Sequence, residues 1–218
     1  PDFAPCFDLS AVNSINWARL LAQIVYYFAS ALQLGAPHRT VAFSVPTGNF
    51  GDVFAGYVAA QMGLPIERLV VATNVNDILH RALSAGDYST GSVTPTATPS
   101  MDIQISSNFE RLLFDLEGRQ GSATAARMQA FEQTGRMALD PAMQAKAAAI
   151  FSSQRVDAQA MAHAMRWAND GAGQVIDPSV SVPIAAGASP AATAAPLPED
   201  EPQVLRSSAW GLRVNPPT

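Results

Sequence analysis

The chain has 218 residues, 48% of them hydrophobic and only 14% charged, which suits one domain, or one domain and a tail, with a real core in its first two-thirds. A formal net charge of −5 and a pI near 5.1, with thirteen basic residues scattered along the sequence, argue against a nucleic-acid partner. Cys6 is the only cysteine, which excludes an internal disulfide and a thiolate-only metal site and fits a reducing, cytoplasmic setting.

Residues 1–12 read as an irregular lead-in, and the opening Pro1-Asp2 shows neither a basic leader nor an initiator Met, so a fragment is expected in preference to a processed chain. Asn13 or Ser14 is placed to cap a long helix that runs to about Leu34 and stops at Gly35. Its apolar positions Ile15, Leu20, Leu21, Ile24, Val25, Tyr27, Phe28, Ala31 and Leu32 cover more than one stripe and predict burial on more than one side. Arg19, Gln23, Ser30 and Gln33 interrupt the segment. A membrane span needs about 20 mostly apolar residues, so a core helix is expected and no membrane partner.

Val41–Val45 is a run of strand formers, followed by the loop Pro46-Thr47-Gly48-Asn49-Phe50-Gly51-Asp52 and a helix over about 53–62. Leu69–Thr73 repeats the strand signal, and Asn76 or Asp77 opens a further helix to about Ser84. This order predicts an α/β fold, parallel strands covered by helices. Residues 87–105 form a Ser/Thr/Pro/Gly-rich loop, long enough to be functional, with closure of Thr94–Asp102 over a site weighed against a plain surface loop. Ser107-Asn108-Phe109-Glu110 reads as a capping box that starts a helix to about Leu116. Further helices are predicted at about 122–135, 141–151 and 157–169, the last capped by Asp157. From about Pro183 to Pro202, Ala, Pro, Ser and Gly dominate without periodicity, and this stretch is expected to be disordered or loosely attached.

The segment Val41–Ala55 carries the chemistry. A buried strand enters Gly48-Asn49-Phe50-Gly51 and a helix begins at once. Glycines let backbone N–H groups approach an anion, and the helix start adds unpaired donors and partial positive charge. Asp52 is read as holding this loop, since a second anion would repel a phosphate. The Walker pattern and Gly-x-Gly-x-x-Gly are both absent. On the residues alone, a phosphate cradle and a tight turn without ligand stand equally.

Longer motifs break the tie. Asn13-Ser14-Ile15-Asn16-Trp17-Ala18-Arg19, Gln23–Tyr27, Val45–Asp52, Ala72–Leu79, Pro99–Ile103 and Ser106–Phe114 follow in this order, and together the chain resembles the threonine synthases over roughly residues 9–178. The resemblance implies a fold-type-II pyridoxal 5'-phosphate lyase that converts O-phospho-L-homoserine and water into L-threonine and phosphate. It implies that Gly48, Asn49, Phe50 and Gly51 surround the cofactor phosphate, and that Asn13, Ser14 and Arg19 contact the phosphate of the small-molecule substrate. Taken by itself, Arg19 reads better as an ion-pair residue.

The family's Schiff-base lysine has no counterpart, so no catalytic residue is assigned. Lys146, the only lysine, lies in an Ala-rich helical stretch and reads as a solvated charge. The resemblance places the missing lysine in an N-terminal half that precedes residue 1, which makes that half the expected partner. At the other end, Val175-Ile176-Asp177-Pro178 fits the family but Ser179–Pro183 does not, so residues 13–178 are read as a partial domain and 179–218 as a divergent tail. His38, His80 and His163 lack ligand spacing and no metal is expected; Trp17, Tyr26, Tyr27 and Phe28 read as core aromatics. Two functions follow: part of a lyase, inactive by itself, or a non-catalytic remnant that binds phosphate or a phospho-ligand.

Overall fold

The computed structural model describes residues 15–187. Three parallel strands, β1 (Val41–Pro46), β2 (Ile66–Thr73) and β3 (Phe151–Arg155), form one sheet in the order β1-β2-β3. Val45 pairs with Val71, and Val71 pairs with Ser153. The central strand β2 is buried on both faces, as its unbroken Leu69-Val70-Val71-Ala72 run requires. The expected α/β class with a helix-covered parallel sheet is what the chain adopts.

Helices α1 (Trp17–Gln33), α2 (Gly51–Gln61), α3 (Ile78–Ala85), α4 (Phe109–Leu116), α5 (Gly121–Thr134), α6 (Pro141–Ala148), α7 (Ala158–Ala172) and α8 (Pro178–Gly187) complete the described fold. On one face, Phe43, Val45, Leu69 and Val71 join a core with Leu20, Tyr27, Val53, Phe109 and Leu112. On the other, Val70 and Ala72 pack with Met101, Met161, Val182 and Ala186. Among the described residues, no helix is long and apolar enough to cross a membrane.

Several expectations are corrected. Helix α1 is capped by Asn16, whose side chain accepts from the Ala18 N–H at 2.9 Å; Asn13 and Ser14 lie outside the described residues. It buries one stripe, Leu20, Ile24, Tyr27 and Ala31, while Leu21 (50%) and Val25 (62%) are exposed, because α1 forms the outer layer over α2. Trp17 and Tyr26 are likewise exposed, so of the four aromatics Tyr27 is in the core and Phe28 flanks it.

The helix predicted over 141–151 stops at Ala148, and Phe151–Arg155 becomes strand β3. Ser152, Ser153 and Gln154 carry little strand propensity; pairing with β2 decides their conformation. The Asp157 cap forms, accepting from the Ala160 N–H at 2.8 Å. Pro178–Gly187 form helix α8, so the divergent tail expected from residue 179 begins in a helix, and the loose attachment expected from about Pro183 does not start there. Small residues let this helix lie close to the sheet, and the buried Ser44 hydroxyl donates to the Pro183 carbonyl at 2.7 Å. The rest of the predicted tail lies outside the described residues.

Candidate functional site

Strand β1 ends where the Thr47 N–H donates to the Ala72 carbonyl at 2.8 Å, and the chain then leaves the sheet through Gly48 and Asn49. Phe50 is in the left-handed region (φ 63°) and α2 starts at Gly51. Left-handed backbone at a non-glycine costs about 1–3 kcal/mol. The buried Phe50 ring, edge-on to Phe109 at 5.3 Å between centroids, offsets this with a burial gain of about 1.5–3 kcal/mol. Packing therefore sets the loop's shape.

The loop carbonyls are turned back into the protein. Ser106 Oγ donates to Gly48 O at 2.9 Å, while the Asn108 N–H and Nδ2 donate to Asn49 O at 3.1 and 3.0 Å. The N–H groups of Gly48, Asn49, Phe50, Gly51 and Asp52 make no hydrogen bond among the described residues. A row of free donors at a helix start, with the acceptors tied elsewhere, is what an anion requires.

A Cβ on Gly48 would stand 2.9 Å from the Ser100 carbonyl, so only glycine admits the covering loop. That loop is fastened to the end of β2. Asn74 Nδ2 reaches Thr96, Thr98 and Asp102 at 3.1, 2.8 and 2.7 Å, and Asn76 Nδ2 reaches Asp102 at 2.9 Å. Burial pushes the Asp102 carboxyl up, but hydrogen bonds from Thr96, Asn74 and Asn76 outweigh it and hold the group below the usual carboxylate range. Thr94–Asp102 is exposed over much of its length, and through Ser100 and Met101 it packs against Gly48.

Two local readings change. Asp52 makes no hydrogen bond to the loop among the described residues: its Oδ1 is buried there without a partner, and burial pushes the carboxyl up to about 6. Burial, and secondarily the Asp52 charge, also raises the Tyr27 phenol, whose oxygen is equally unpartnered among the described residues. Ser107–Glu110 is not a capping box. Asn108 occupies the cap position without capping, and Ser107 Oγ points to Asn49 Oδ1 at 3.3 Å. These short polar side chains brace the neighbouring loop, a role that local spacing does not reveal.

Arg19 is exposed in the first turn of α1 and forms no ion pair among the described residues. The following turn touches the cradle, since Leu20 and Gln23 lie 3.7 and 3.8 Å from a Cβ position on Gly51. Lys146 is not simply a solvated charge: its Nζ donates to the Leu116 carbonyl at 2.9 Å, satisfying the end of α4 away from the cradle. His80 pairs with Ser153 Oγ at 3.0 Å, and burial lowers its pKa against the pull of Asp77. No group of three or more potential metal ligands converges among the described residues.

A cavity of about 810 Å³ opens between α2, α4 and α5, over Trp17, Phe54, Tyr57 and Phe114. None of Gly48–Gly51 lines it.

No protein-family model matches the chain. It is similar to threonine synthase of Pseudomonas aeruginosa, with 52% identity over 178 residues, covering 82% of this chain and 38% of that protein. The fold is similar to the crystal structure of PLP-bound threonine synthase from Brucella melitensis, with a TM-score of 0.82 and 47% identity, covering 87% of this chain and 41% of that one. Yeast threonine synthase superposes with a TM-score of 0.77 at 40% identity, covering 81% of this chain and 38% of that one. The chain thus spans about two-fifths of the length of these relatives.

Proposed function

We propose that this chain, a threonine-synthase-type polypeptide in sequence and fold, contributes the phosphate cradle of a pyridoxal-phosphate lyase acting on O-phospho-L-homoserine. The observation that carries the reading is the row of N–H groups over Gly48–Asp52 that find no partner among the described residues, with the Gly48 and Asn49 carbonyls held back by Ser106 and Asn108. Gly48, Asn49, Phe50 and Gly51 hold the cofactor phosphate through backbone donors. When bound, the cofactor supplies the electron sink for eliminating phosphate and adding water to give L-threonine.

Within that scheme this chain binds and orients. The loop Thr94–Asp102 covers Gly48 and limits access of water to the cradle. Asn13, Ser14 and Arg19 receive the phosphate of the substrate; Arg19, exposed and unpaired among the described residues, offers the fork suited to it. A cytoplasmic location belongs to the same reading. The amine that carries the cofactor and moves protons comes from polypeptide other than these 218 residues, because the one lysine is committed to the end of α4.

That commitment of Lys146 also favours a second reading, phosphate or phospho-ligand binding without catalysis. One experiment addresses both. The purified chain is mixed with pyridoxal phosphate, treated with borohydride and digested for mass spectrometry, in parallel with isothermal titration. Reversible binding with no trapped lysine is expected. A stoichiometric adduct at Lys146 overturns the assignment of the amine to another polypeptide, and absence of binding overturns the cradle. Restored lyase turnover on adding the remaining three-fifths of a relative's sequence separates the first reading from the second.

A further inference from the structure

Asn108 is fully buried at the start of α4, and its amide has an acceptor on one side and a donor on the other. Nδ2 donates to Asn49 O at 3.0 Å, and Oδ1 accepts from Arg111 Nε at 3.0 Å. The amide orientation is fixed by its partners, since a carbonyl only accepts and a guanidinium only donates. Arg111 then reaches the other way. One terminal nitrogen donates to the Ile15 carbonyl at 2.7 Å, and the guanidinium lies over the Trp17 ring at 5.5 Å.

Two segments distant in sequence are thereby joined through two side chains. One is the cradle; the other is the entry to α1, where Ile15 and Trp17 flank the Asn16 cap and precede Arg19. Their contact is reinforced by Leu20 and Gln23 against Gly51. We propose that Asn108 and Arg111 are positioning residues that couple the Gly48–Asp52 anion cradle to the Ile15–Leu20 segment, so that filling the first with phosphate reorganises the second.

The inference rests on the reading of Gly48–Asp52 as a phosphate site. An anion that draws the loop N–H groups forward changes the set of the Asn49 carbonyl. The Asn108 amide follows that carbonyl, and Arg111 follows the amide. Only a planar fork spans Asn108 Oδ1 and Ile15 O together while stacking on Trp17. A lysine keeps the charge and the contact with the ring but cannot hold both acceptors.

The test uses the full 218-residue chain, ¹⁵N-labelled and titrated with inorganic phosphate while amide resonances are followed. In the unaltered chain, Gly48–Asp52 and Ile15–Leu20 are expected to shift together with one dissociation constant. In Arg111→Ala the cradle shifts persist, with affinity about tenfold weaker, and the Ile15–Leu20 shifts vanish. Arg111→Lys also loses them, which guards against loss of fold in the alanine variant, and Arg119→Ala at the far end of α4 keeps both sets. Ile15–Leu20 shifts that survive in Arg111→Ala or Arg111→Lys mark phosphate bound directly there and overturn the coupling. Cradle shifts without Ile15–Leu20 shifts in the unaltered chain overturn the coupling alone. Absence of cradle shifts overturns the phosphate site and the coupling with it.

Discussion

The Ser100 carbonyl stands 2.9 Å from the point a Cβ on Gly48 would occupy, whereas the nearest atom to a Cβ on Gly51 is Asn108 Nδ2 at 3.4 Å. The two glycines of one loop therefore meet different constraints. Gly48→Ala must displace backbone of the covering loop. Gly51→Ala meets an ordinary contact at the tight end of the range.

Gly48→Ala is expected to weaken phosphate binding by at least tenfold, about 1.4 kcal/mol, and Gly51→Ala by much less. Calorimetric titration of both variants with inorganic phosphate checks the order. Equal losses would mean that the covering loop does not shape the cradle.

Asn74 is buried and bonds to Thr96, Thr98 and Asp102, while its Oδ1 accepts from the Asn76 N–H. Asn74→Ala leaves several of these groups short of a partner and is expected to cost about 2–3 kcal/mol in urea unfolding. Cleavage of residues 92–100 by a non-specific protease should rise in parallel.

The same network gives the covering loop a pH limit. Asp102 titrates below the usual carboxylate range in the folded chain, so its stabilisation is present above the unfolded value and is lost as pH falls through the folded one. Amide exchange over residues 94–102, corrected for intrinsic rates, should stay slow from neutral pH down to the ordinary carboxylate range and accelerate below it. Asp102→Asn should be fast throughout.

Asp52 works in the opposite direction. Its folded pKa is raised from 3.8 to about 6 by burial, so its neutral form is favoured and stability is lost as pH rises through about 6. Asp52→Asn is expected to flatten this dependence and to be more stable than the parent at pH 8 by about 2 kcal/mol. Denaturant midpoints at pH 5 and pH 8 test it; an unchanged pH slope would show that Asp52 is not the titrating group.

Helix α8 provides a stability test independent of the site. Val182 is fully buried against the second face of the sheet. Val182→Ala should cost about 2 kcal/mol. Thermal unfolding that leaves the midpoint unchanged would mean that α8 does not dock.

The legibility of this fold in its sequence follows the range of the forces involved. The Val41–Val45 and Leu69–Thr73 strands, the glycine loop between helix and sheet and the Asp157 cap are short-range patterns, and each forms where the sequence places it. Strand β3 and helix α8 are made by contacts with β2 and β1, which Ser152-Ser153-Gln154 and Ser181-Val182-Pro183 do not advertise. At the site, the loop itself was legible, while Ser106, Asn108 and the Asn74–Asp102 anchor were not. Of these only Asn108 lies in the Ser107–Glu110 pattern, which reads as a capping box although Ser107 and Asn108 turn toward Asn49.

The braces from Ser106 and Asn108 reach cradle residues 58 and 59 positions earlier in the chain. The strand–turn–helix unit around Gly48 needs only its neighbours to form, but the restraint on its carbonyls waits until α4 has docked. The donor row is thus expected to be fixed only once α4 is in place and to loosen when α4 departs. A phosphate held there grips two separately made pieces at once, so its effect should appear in how slowly the folded chain comes apart, with little change in how fast it assembles.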